Sequence, residues 1–510
     1  MKILGINTLN HDACVTLLDG KEILFAGHAE RYSGIKNDSN LNAALLADVK
    51  RYGDWDKVVY YERPWKKKLR QLVAGQTSEV LSLENLPSQY LKQFGITIDK
   101  YVDHHQSHAA ASYYTSPYDE SAIVCIDAIG EFETCTIWYA WGSHFEKRYS
   151  ISYPNSLGLW YSAMTQRLGL KPQEDEYILM GMAGWGTIDE ELKHHIKKDF
   201  FYPNNKLPIK LKQNLHRGCL DWNPEFYPDD GSDEWKFNIA ANVQSICEDE
   251  IYKVFHLAKR LVPETKNVCY GGGVALNCVA NSMIVDMIPE LYSDVWIIPN
   301  PGDGGSSMGC AAYVLGEHIN FKHCFLGYEI QGRYPVKKVL KELLEGKIVG
   351  IANGRAEFGP RALGNRSLVA DPRGKDIKDK VNEIKHRQKF RPFAPSVLEE
   401  CQSEYFENEL PSPFMQLVYS VKESKRENIP AVTHIDGSGR LQTVSRSANL
   451  RYWHLIDNFR KLTGVGLVLN TSFNDNNEPI VCTPKDAIRT FFSTGLQELY
   501  IGNYKIIKIS

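Results

Sequence analysis

Two histidines and one aspartate lie at a spacing that suits a metal site. His104 and His108 are four residues apart in an alanine-rich segment, so a helix would place both imidazoles on one face, one turn apart. The apolar run Ala122–Ile126 is typical of a buried strand, and Asp127 would emerge at its carboxyl end, where open α/β sheets bind ligands. Two imidazoles and a carboxylate suit a divalent transition metal. An isolated H-x-x-x-H pattern is also typical of a capping histidine and satisfied surface histidines, and the motif alone leaves both interpretations open.

The elements that must position this site form a weak internal repeat. The predicted N-terminal strands are Lys2–Thr8, Ala13–Leu18 and Glu22–Ala26. Residues 121–142 repeat the pattern, and Ile123–Asp127 aligns with Ile3–Asn7. A duplicated strand–turn–strand separated by helical sequence is the plan of the actin-like and sugar-kinase ATPases, which bind nucleotide between two similar halves. We therefore predict the α/β class with a duplicated actin-like N-terminal domain.

Two glycine-rich turns follow strands in the first part of the chain. In the first turn, Gly271-Gly272-Gly273 leads into a helix that continues through Asn281. Consecutive glycines let backbone N–H groups approach a nucleotide, and a helix N-terminus favours an anion. The turn is not a P-loop, because no G-K-[ST] follows. In the second turn, Asp303 precedes the predicted helix Met308–Leu315 and is a further candidate metal ligand. Each turn could equally be a tight connection between elements.

The C-terminal part is rich in residues that bind phosphate. The segment Asn353–Ser367 holds three arginines among glycines, and Lys385–Pro395 adds five basic or titratable side chains. Hydroxyl and amide groups at Asn470–Asn474 follow the buried strand Gly466–Leu469. The planar fork of arginine suits bidentate capture of phosphate oxygens. These segments predict an anion site.

Length and composition limit the classes of function. A chain of 510 residues should form at least two domains, and we predict them at residues 1–330 and 336–510, with a boundary near Gly327–Pro335. The net charge of -3 gives no strong field for nucleic acid or membrane. Eleven cysteines without a C-x-x-C pair fit a reducing cytosol. Because no signal peptide or apolar run of transmembrane length is visible, we expect a soluble, cytoplasmic protein with no membrane partner.

Local patterns predict the remaining elements. The predicted helices are Leu41–Arg51, Val80–Phe94, Ser156–Leu168, Asp175–Ala183, Ile239–Leu261 and Val336–Leu344, and further strands are Lys57–Tyr61 and Ile348–Ala352. Residues 187–235 are polar with scattered prolines and are interpreted as an irregular insertion. The basic run Lys66–Arg70 is typical of a solvated face, although it could also contact a polyanion.

Taken together, the motifs resemble a known family over nearly the full length of the chain: the O-carbamoyltransferases of antibiotic tailoring and nodulation-factor synthesis. The motifs, in chain order, are His11-Asp12-Ala13, Glu30-Arg31 with Lys36, His104 with His108, Asp127 with Gly130-Glu131, Gly271-Gly272-Gly273 with Asn277, Gly302-Asp303-Gly304-Gly305, Gly359-Pro360-Arg361-Ala362-Leu363-Gly364, Arg391-Pro392-Phe393-Ala394-Pro395 and Asn470-Thr471-Ser472-Phe473. Ala128 stands where the family commonly has glycine, and His386 and Gln388 flank Arg387 differently from the usual pattern.

The resemblance implies a fold and a division of labour. It implies an actin-like N-terminal domain, similar to the tRNA threonylcarbamoyl transferases, and an α+β YrdC-like C-terminal domain. In the family, the YrdC-like part makes carbamoyl adenylate from carbamoyl phosphate and ATP, with Mg²⁺ accompanying the ATP. The N-terminal domain then passes the carbamoyl group to an acceptor hydroxyl. A homodimer is among the options for the assembly.

The resemblance also implies roles for individual residues. The family's metal ligands, usually for Fe²⁺, carry over onto His104, His108, Asp127 and Asp303. Nucleotide contacts of the N-terminal domain carry over onto Gly130, Glu131, Gly271, Gly272, Gly273 and Asn277. Contacts to carbamoyl phosphate and adenylate carry over onto Arg361, Lys385, Arg387, Arg391, Arg440, Asn470 and Ser472. His11, Asp12 and Lys36 match positions near the transfer site, and His11 is the candidate general base.

The acceptor is the least determined part of the prediction. The segments Asn7–Ala13 and Glu30–Asp38 look like members carried by tailed bacteriophages, so the favoured acceptor is the 5-hydroxymethyl group of a modified pyrimidine, as 5-hydroxymethylcytosine in DNA or nucleotide. A hydroxyl of a sugar or antibiotic-like natural product is the alternative. A nucleotide-dependent actin-like binding module without carbamoyl transfer is an alternative of another class, but such a module needs no second anion site.

Overall fold

The computed structural model describes residues 1–82, 85–203 and 207–508. The chain forms two compact units. The first comprises Met1–Phe25, Ser39–Ala43 and Val49–Phe321, and the second comprises Ala26–Asp38, Ala44–Asp48 and Lys322–Ser510. Among the described residues, no helix is both long enough and apolar enough to cross a membrane.

The units differ from the predicted domains 1–330 and 336–510 in two ways. The boundary falls near residue 322, because the strand Phe325–Ile330 pairs with Gly354–Glu357 of the second unit. The segment 26–38 also belongs to the second unit, since its buried Arg31 donates a hydrogen bond to the Gly359 carbonyl oxygen at 2.8 Å. A linear reading of the sequence could not have shown this exchange of segments.

The first unit contains two five-stranded sheets with the same topology. Their strands are β1 (Lys2–Asn7), β2 (Cys14–Asp19), β3 (Glu22–His28), β4 (Lys57–Tyr60), β5 (Lys100–Tyr101), β6 (Glu120–Gly130), β7 (Glu133–Trp141), β8 (His144–Ser152), β9 (Asn267–Gly271) and β10 (Asp294–Ile297). The strand orders are β3-β2-β1-β4-β5 and β8-β7-β6-β9-β10. In each sheet the first strand pairs antiparallel with the second and parallel with the fourth. The predicted duplicated, actin-like α/β fold is confirmed.

Two helices pack closely enough to bring the predicted ligands together. The helices His104–Tyr114 and Asp303–Leu315 meet at Gly309, where a Cβ would lie 1.9 Å from the Ser107 carbonyl oxygen. Gly5 of β1 permits an equally close approach, because its Cβ would lie 1.9 Å from the Ser307 carbonyl oxygen. A side chain at either glycine would separate these elements.

The remaining helices of the first unit include two departures from prediction. Besides the two named above, its helices are Pro64–Val73, Thr77–Leu81, Pro87–Tyr90, Leu157–Arg167, Glu176–Ala183, Glu190–Phe200, Asp233–Leu261 and Cys278–Leu291, with 3₁₀ turns at Leu91–Phe94 and Gly273–Leu276. The single helix predicted over Val80–Phe94 is wrong, since Pro87 starts a new helix; residues 83–84 lie outside the described part. Residues 187–235 are not wholly irregular, because Asp189 caps the helix Glu190–Phe200.

The second unit is built on one mixed sheet, and the predicted α+β class is confirmed. Its strands are β11 (Phe325–Ile330), β12 (Val349–Ala352), β13 (Gly354–Glu357), β14 (Arg366–Ala370), β15 (Ala394–Leu398), β16 (Leu417–Ser420), β17 (Ser438–Val444), β18 (Leu467–Ser472), β19 (Glu498–Ile501) and β20 (Tyr504–Ile507). Eight of them run in the order β16-β17-β15-β18-β14-β12-β19-β20, and β11 pairs separately with β13. Its helices are Glu30–Ser33, Val336–Leu344, Ile377–Ile384, Gln402–Tyr405, Glu423–Arg426, Leu450–Thr463 and Pro484–Ser493, with 3₁₀ turns at Glu399–Cys401 and Pro430–Val432. The helix Ala43–Lys50 is divided between the units.

Two of the three arginines in the predicted anion segment hold the fold instead. Arg366 is fully buried. Its guanidinium donates, at 2.9–3.2 Å, to the backbone carbonyl oxygens of Tyr328, Asn353, Gly354, Asn365 and Cys482. Arg355 donates to the carbonyl oxygens of Leu326 and Gly327. Arg355 and Arg366 therefore support the fold, and the role of Arg361 towards an anion stays a prediction.

Replacing Arg366 with leucine should strongly destabilise the second unit. Several buried carbonyl oxygens would lose their donor, and each unsatisfied group costs roughly 1–3 kcal/mol. We expect a total loss of about 3 kcal/mol or more, which lowers the midpoint of thermal unfolding by roughly 6–12 °C. Calorimetry of Arg366→Leu measures this. The matched control is Arg333→Leu, at an exposed position, which should shift the midpoint by no more than about 2 °C. Equal midpoints for the two variants would contradict this role of Arg366.

Candidate metal centre

The structure brings the four predicted metal ligands together in the first unit. His104 Nε2 lies 3.2 Å from Asp127 Oδ2 and 3.2 Å from Asp303 Oδ1. His108 Nε2 lies 3.6 and 3.4 Å from the same two oxygens, and 3.1 Å from His104 Nε2. Both histidines come from one face of the helix His104–Tyr114, whereas Asp127 lies on β6 and Asp303 begins its helix. The H-x-x-x-H pattern is thus not a pair of surface histidines.

These separations fit a ligand set around one ion. With bonds of about 2.1 Å, adjacent ligand atoms lie about 3.0 Å apart in octahedral and about 3.4 Å apart in tetrahedral geometry. Four of the five observed separations, from 3.1 to 3.4 Å, lie within that interval, and the fifth, from His108 Nε2 to Asp127 Oδ2, is slightly longer at 3.6 Å. A set of two imidazoles and two carboxylates suits a divalent transition ion. The residues present therefore fit the metal implied by the sequence.

Without an ion, the four side chains must balance their charges with protons. Burial opposes a charged imidazole, yet Asp303 and Asp127 raise the pKa of His104 well above its ordinary value. Burial likewise opposes a charged carboxylate, but His104 and His108 hold the pKa of Asp127 well below its usual range. When no ion is bound, these directions favour two carboxylates paired with protonated imidazoles. A divalent cation can take the place of those protons, so binding should release them.

Neighbouring groups orient each ligand. The Gly273 amide donates to Asp127 Oδ1 at 3.1 Å, and the Asn10 amide donates to Asp303 Oδ2 at 3.0 Å. On the far side of the rings, Ser306 Oγ lies 3.3 Å from His108 Nδ1, and Glu62 Oε2 lies 3.7 Å from His104 Nδ1. Contacts of this kind fix the tautomer and direction of metal-binding side chains.

The predicted nucleotide-binding glycines of the first unit lie against the metal ligands. A Cβ at Gly272, whose φ is +88°, would lie 2.3 Å from the Ile126 carbonyl oxygen, and a Cβ at Gly273 would lie 2.8 Å from Asp127 Oδ1. At Gly271 the nearest atom, Ser112 Oγ, would be 2.4 Å away. The three glycines thus allow the turn to approach Asp127 closely, and their role towards a nucleotide stays a prediction.

Two other residues predicted to bind the nucleotide make contacts within the protein. Asn277 forms a reciprocal amide pair with Gln244, with distances of 3.1 and 2.9 Å. Glu131 is buried, and its Oε1 accepts a hydrogen bond from the Arg63 amide at 2.6 Å. Burial raises the pKa of Glu131 to about 7. Both residues brace the site, and whether they also contact a nucleotide stays a prediction.

The three predicted catalytic residues do not share one unit. His11 and Asp12 belong to the first unit, in the turn between β1 and β2, whereas Lys36 belongs to the second. His11 Nε2 lies 2.9 Å from the Gln173 carbonyl oxygen, which can only accept, so Nε2 donates there. That tautomer leaves the lone pair on Nδ1, the form that a general base requires.

The basic run Lys66–Arg70 does not form a free cationic surface. Lys66 contacts Asp103 at 2.8 Å, and Lys67 contacts Glu62 at 2.7 Å. Lys68 Nζ donates to three carbonyl oxygens at the end of the helix Thr77–Leu81, and Arg70 is buried. The predicted contact with a polyanion therefore finds no support in this segment.

In the second unit, two predicted anion-binding residues touch. Lys385 is buried, and its Nζ donates to the Ser472 carbonyl oxygen at 2.5 Å and lies 3.3 Å from Ser472 Oγ. Two oxygens of Asn474 lie 2.8 and 2.7 Å from the same Nζ. Burial, and after it the nearby Arg387 and Arg391, lower the pKa of Lys385 well below its ordinary value. A bound anion would stabilise the charged form of this lysine.

A second contact joins the Arg361 loop to β18. The Asn470 amide Nδ2 donates to the Ala362 carbonyl oxygen at 3.1 Å and to Gln442 Oε1 at 2.9 Å. Arg440 lies two residues before Gln442 on β17, so both side chains leave the same face of the strand. Arg387 is held by Asn382 Oδ1 at 2.7 Å. The structure thus brings Asn470 into contact with the residues next to Arg361 and near Arg440, and it brings Lys385 into contact with Ser472 on the same strand.

Comparison with known proteins now gives the family. Residues 50–312 match the model of the carbamoyltransferase N-terminus, and residues 340–508 match that of the carbamoyltransferase C-terminus. The nodulation protein NolNO of Sinorhizobium fredii is 32% identical over 98% of this chain and 80% of its own length. The chain belongs to the carbamoyltransferase family. An uncharacterised protein of Synechocystis, sll1178, is 32% identical over 99% of this carbamoyltransferase and 96% of its own length, and the nodulation protein U of Rhizobium tropici is 28% identical over 93% and 91%.

Solved structures resemble the carbamoyltransferase only distantly. Full-length HypF in its phosphate- and nucleotide-bound form matches 62% of this chain and 55% of its own, with 15% identity and a TM-score of 0.35. A ROK family glucokinase from Streptomyces griseus matches 61% and 98%, with 9% identity and a TM-score of 0.29. Because both TM-scores are low, the description of the fold rests on the strand orders of this chain alone.

Sequence reasoning missed three residues that support the sites. Glu62 follows β4 at its carboxyl end, as acids that bind ligands in α/β sheets do, so the signal was present. Asn10 lies within a quoted motif, but nothing in the sequence ties it to Asp303. Gln442 lies on a strand with no motif of its own, and only the fold shows its bond to Asn470.

Gly130 offers a test of the metal centre in this carbamoyltransferase. A Cβ at this position would lie 2.2 Å from His104 Cδ2 and 2.8 Å from His104 Nε2. Gly130→Ala should therefore displace His104 and lower the affinity for a divalent transition metal by about 10-fold or more. Elemental analysis of the dialysed protein measures the bound metal. Gly181→Ala is the matched control, since a Cβ there meets no atom within 4 Å. Undiminished metal in Gly130→Ala would contradict the site.

Proposed function

We propose that this carbamoyltransferase is ATP-dependent and works in two steps. The second unit makes carbamoyl adenylate, and the first unit transfers the carbamoyl group to an acceptor hydroxyl beside the metal centre. The observation that carries the proposal is the convergence of His104, His108, Asp127 and Asp303 within one unit of a chain that belongs to this family. Such a site serves group transfer rather than a nucleotide-dependent binding module, which needs no such ligand set.

The first step is supported by the cations of the second unit. Carbamoyl phosphate, ATP and water give carbamoyl adenylate, phosphate and pyrophosphate, so several phosphate oxygens must be held at once. Arginine forks and a buried lysine are the groups that bind such oxygens. Lys385 with Ser472, and Arg361 with Arg440 and Asn470, supply them. Mg²⁺ would accompany the ATP.

The second step needs a base and a stabilised leaving group. The acceptor oxygen attacks the carbamoyl carbon, the bond from that carbon to the adenylate oxygen breaks, and the products are the carbamate ester and AMP. The hydrogen bond of His11 Nε2 to the Gln173 carbonyl oxygen supports a role for Nδ1 as the base that takes the hydroxyl proton. Fe²⁺ or another divalent transition metal held by the four ligands would supply Lewis-acid chemistry there.

Two acceptor classes are open for the second step. The 5-hydroxymethyl group of a modified pyrimidine, in DNA or as nucleotide, is supported by the likeness of the N-terminal motifs to phage-borne members. A sugar or natural-product hydroxyl is supported by the similarity to the nodulation proteins. The engagement of Lys66, Lys67 and Lys68 by the protein's own groups removes one reason to expect a DNA polymer. The geometry therefore favours a small acceptor.

The two steps should be separable by substitution. His108→Ala removes a metal ligand, so it should lower the rate of carbamoyl transfer at least about 100-fold. Pyrophosphate release from ATP and carbamoyl phosphate should persist in this variant. Arg361→Ala should have the opposite effect: pyrophosphate release falls at least about 10-fold, since a charged phosphate contact is lost. Pyrophosphate is measured with an assay specific for it, because the first step also releases phosphate, and transfer is measured by mass spectrometry.

Synthetic carbamoyl adenylate is the matched control for this division. It should restore transfer in Arg361→Ala and leave His108→Ala inactive, because only the latter lacks the transfer site. If His108→Ala keeps both its bound metal and its transfer rate, the metal centre is not the transfer site. If Arg361→Ala releases pyrophosphate at the parental rate, the adenylate-forming role of the second unit is wrong.

A further inference from the structure

The turn that carries Arg361 is held by two side chains from the start of the chain. Gly359 lies two residues before Arg361, and both of its backbone groups are engaged. Its N–H donates to His28 Nε2 at 3.0 Å, and its carbonyl oxygen accepts a hydrogen bond from Arg31 Nη2 at 2.8 Å. His28 and Arg31 precede Gly359 by 331 and 328 positions. They fix the backbone directly before Pro360 and Arg361.

Both contacts to Gly359 are shielded from water. His28 is 2% exposed and Arg31 is 4% exposed, and the ring centroids of His28 and Phe358 lie 5.1 Å apart. A buried hydrogen bond is electrostatically stronger than one in water. Gly359 has a φ of +140°, a conformation that favours glycine and leaves the backbone free to move unless neighbours restrain it. His28 and Arg31 supply that restraint.

A second anchor lies on the other side of Arg361. The buried Glu357 accepts hydrogen bonds at Oε1 from the amides of Leu363 and Asn365, at 2.7 and 3.0 Å. Arg361 thus lies between an anchor at Gly359 and an anchor at Leu363. The second anchor belongs to the same segment of the chain, whereas the first depends on His28 and Arg31.

Arg31 is itself oriented by charged and polar neighbours. Its Nε donates to Glu30 Oε1 at 3.2 Å, and Glu30 Oε2 accepts a hydrogen bond from the Asn37 amide at 3.0 Å. Arg31 Nη1 is buried and has no hydrogen-bond partner in the described part of the chain. A buried donor without a partner lowers stability. Stability alone therefore does not explain an arginine at this position.

The residues that hold Gly359 lie outside both parts of the chain that match the family's domains. Those parts are residues 50–312 and 340–508. The segment 26–38 nevertheless belongs to the second unit. The turn before Arg361 is thus completed by residues that neither matched part contains.

We infer that His28 and Arg31 are positioning residues for the first step, because by holding Gly359 they place the Arg361 guanidinium where it binds a substrate phosphate. The inference rests on the proposed function, which takes Arg361 as an anion-binding residue of adenylate formation. A planar guanidinium binds two oxygens only when it is placed accurately. Loss of the contacts to Gly359 should therefore weaken substrate binding, with neither His28 nor Arg31 touching the substrate.

The test measures pyrophosphate release by the full-length protein as the concentrations of ATP and carbamoyl phosphate are varied. Arg361→Ala first identifies the substrate whose KM depends on Arg361. His28→Leu removes the acceptor for the Gly359 N–H, so it should raise the same KM about 3- to 10-fold and change kcat less than about 2-fold. His28→Gln offers an amide oxygen to that N–H and should bring the KM back to within about 2-fold of the parental value. The matched control is His454→Leu, at an exposed position of the same unit, which should leave both constants unchanged.

The double variant His28→Leu/Arg361→Ala separates positioning from a general effect on folding. If His28 acts through Arg361, adding His28→Leu to Arg361→Ala should raise the KM by less than about 2-fold more. Partial unfolding would instead lower kcat at an unchanged KM, and circular dichroism measures the folded fraction. If His28→Leu does not fold, Arg31→Lys provides the test. It keeps a positive charge beside Glu30 without the planar fork, and it should raise the same KM about 3-fold.

Three results would overturn the inference: an unchanged KM in a folded His28→Leu or Arg31→Lys variant, no recovery in His28→Gln, or full multiplication of the two effects in the double variant. Transfer from synthetic carbamoyl adenylate should stay at the parental rate in all these variants, because the second step does not use Arg361. A parental protein that releases no pyrophosphate from ATP and carbamoyl phosphate would refute the proposed function itself.

Discussion

The mutual neutralisation of two buried carboxylates and two buried imidazoles is the interaction on which the first unit depends. Asp127 is buried and Asp303 is nearly so, and each lies within 3.6 Å of both histidines. Removing one partner from such a group leaves an uncompensated buried charge, which is strongly destabilising. A divalent ion satisfies the carboxylates while leaving the imidazoles neutral. The same four side chains therefore connect stability, metal content and pH.

This constraint explains why so many glycines surround the site. Four charged or polar side chains can meet only if the elements that carry them approach more closely than ordinary side chains allow. Gly5 and Gly309 permit the approach of the helix Asp303–Leu315, and Gly130 leaves space for the His104 ring. Gly272 allows the turn after β9 to contact β6. These glycines are packing requirements of the site, whatever ligand binds beside it.

The sequence was informative where chemistry is local. The four-residue spacing of His104 and His108 predicted that both rings lie on one helix face. Asp127 was predicted just beyond a strand end; β6 continues to Gly130, but its regular pairing with β7 breaks after Ile126, next to Asp127. The sequence was uninformative where a side chain's partner lies far along the chain. Arg366 and Arg361 share one glycine-rich segment, yet only the fold shows that Arg366 is enclosed by backbone carbonyls. Lys66–Arg70 similarly looked free in sequence, whereas its partners Glu62 and Asp103 are folded against it.

The divergence of the two repeats accounts for the charge of the site. The sequence alignment of the repeats matches Asn7 at the end of β1 with Asp127 on β6. Both residues lie near Asp303. The side-chain amide of Asn7 donates to the backbone carbonyl oxygen of Asp303 at 2.7 Å, whereas Asp127 contacts the same imidazole that Asp303 contacts. A carboxylate in place of Asn7 would put a third negative charge beside two that already require compensation. Because the first repeat has Asn7 where the second has Asp127, the site contains two carboxylates, Asp127 and Asp303. Their two negative charges balance the charge of one divalent ion.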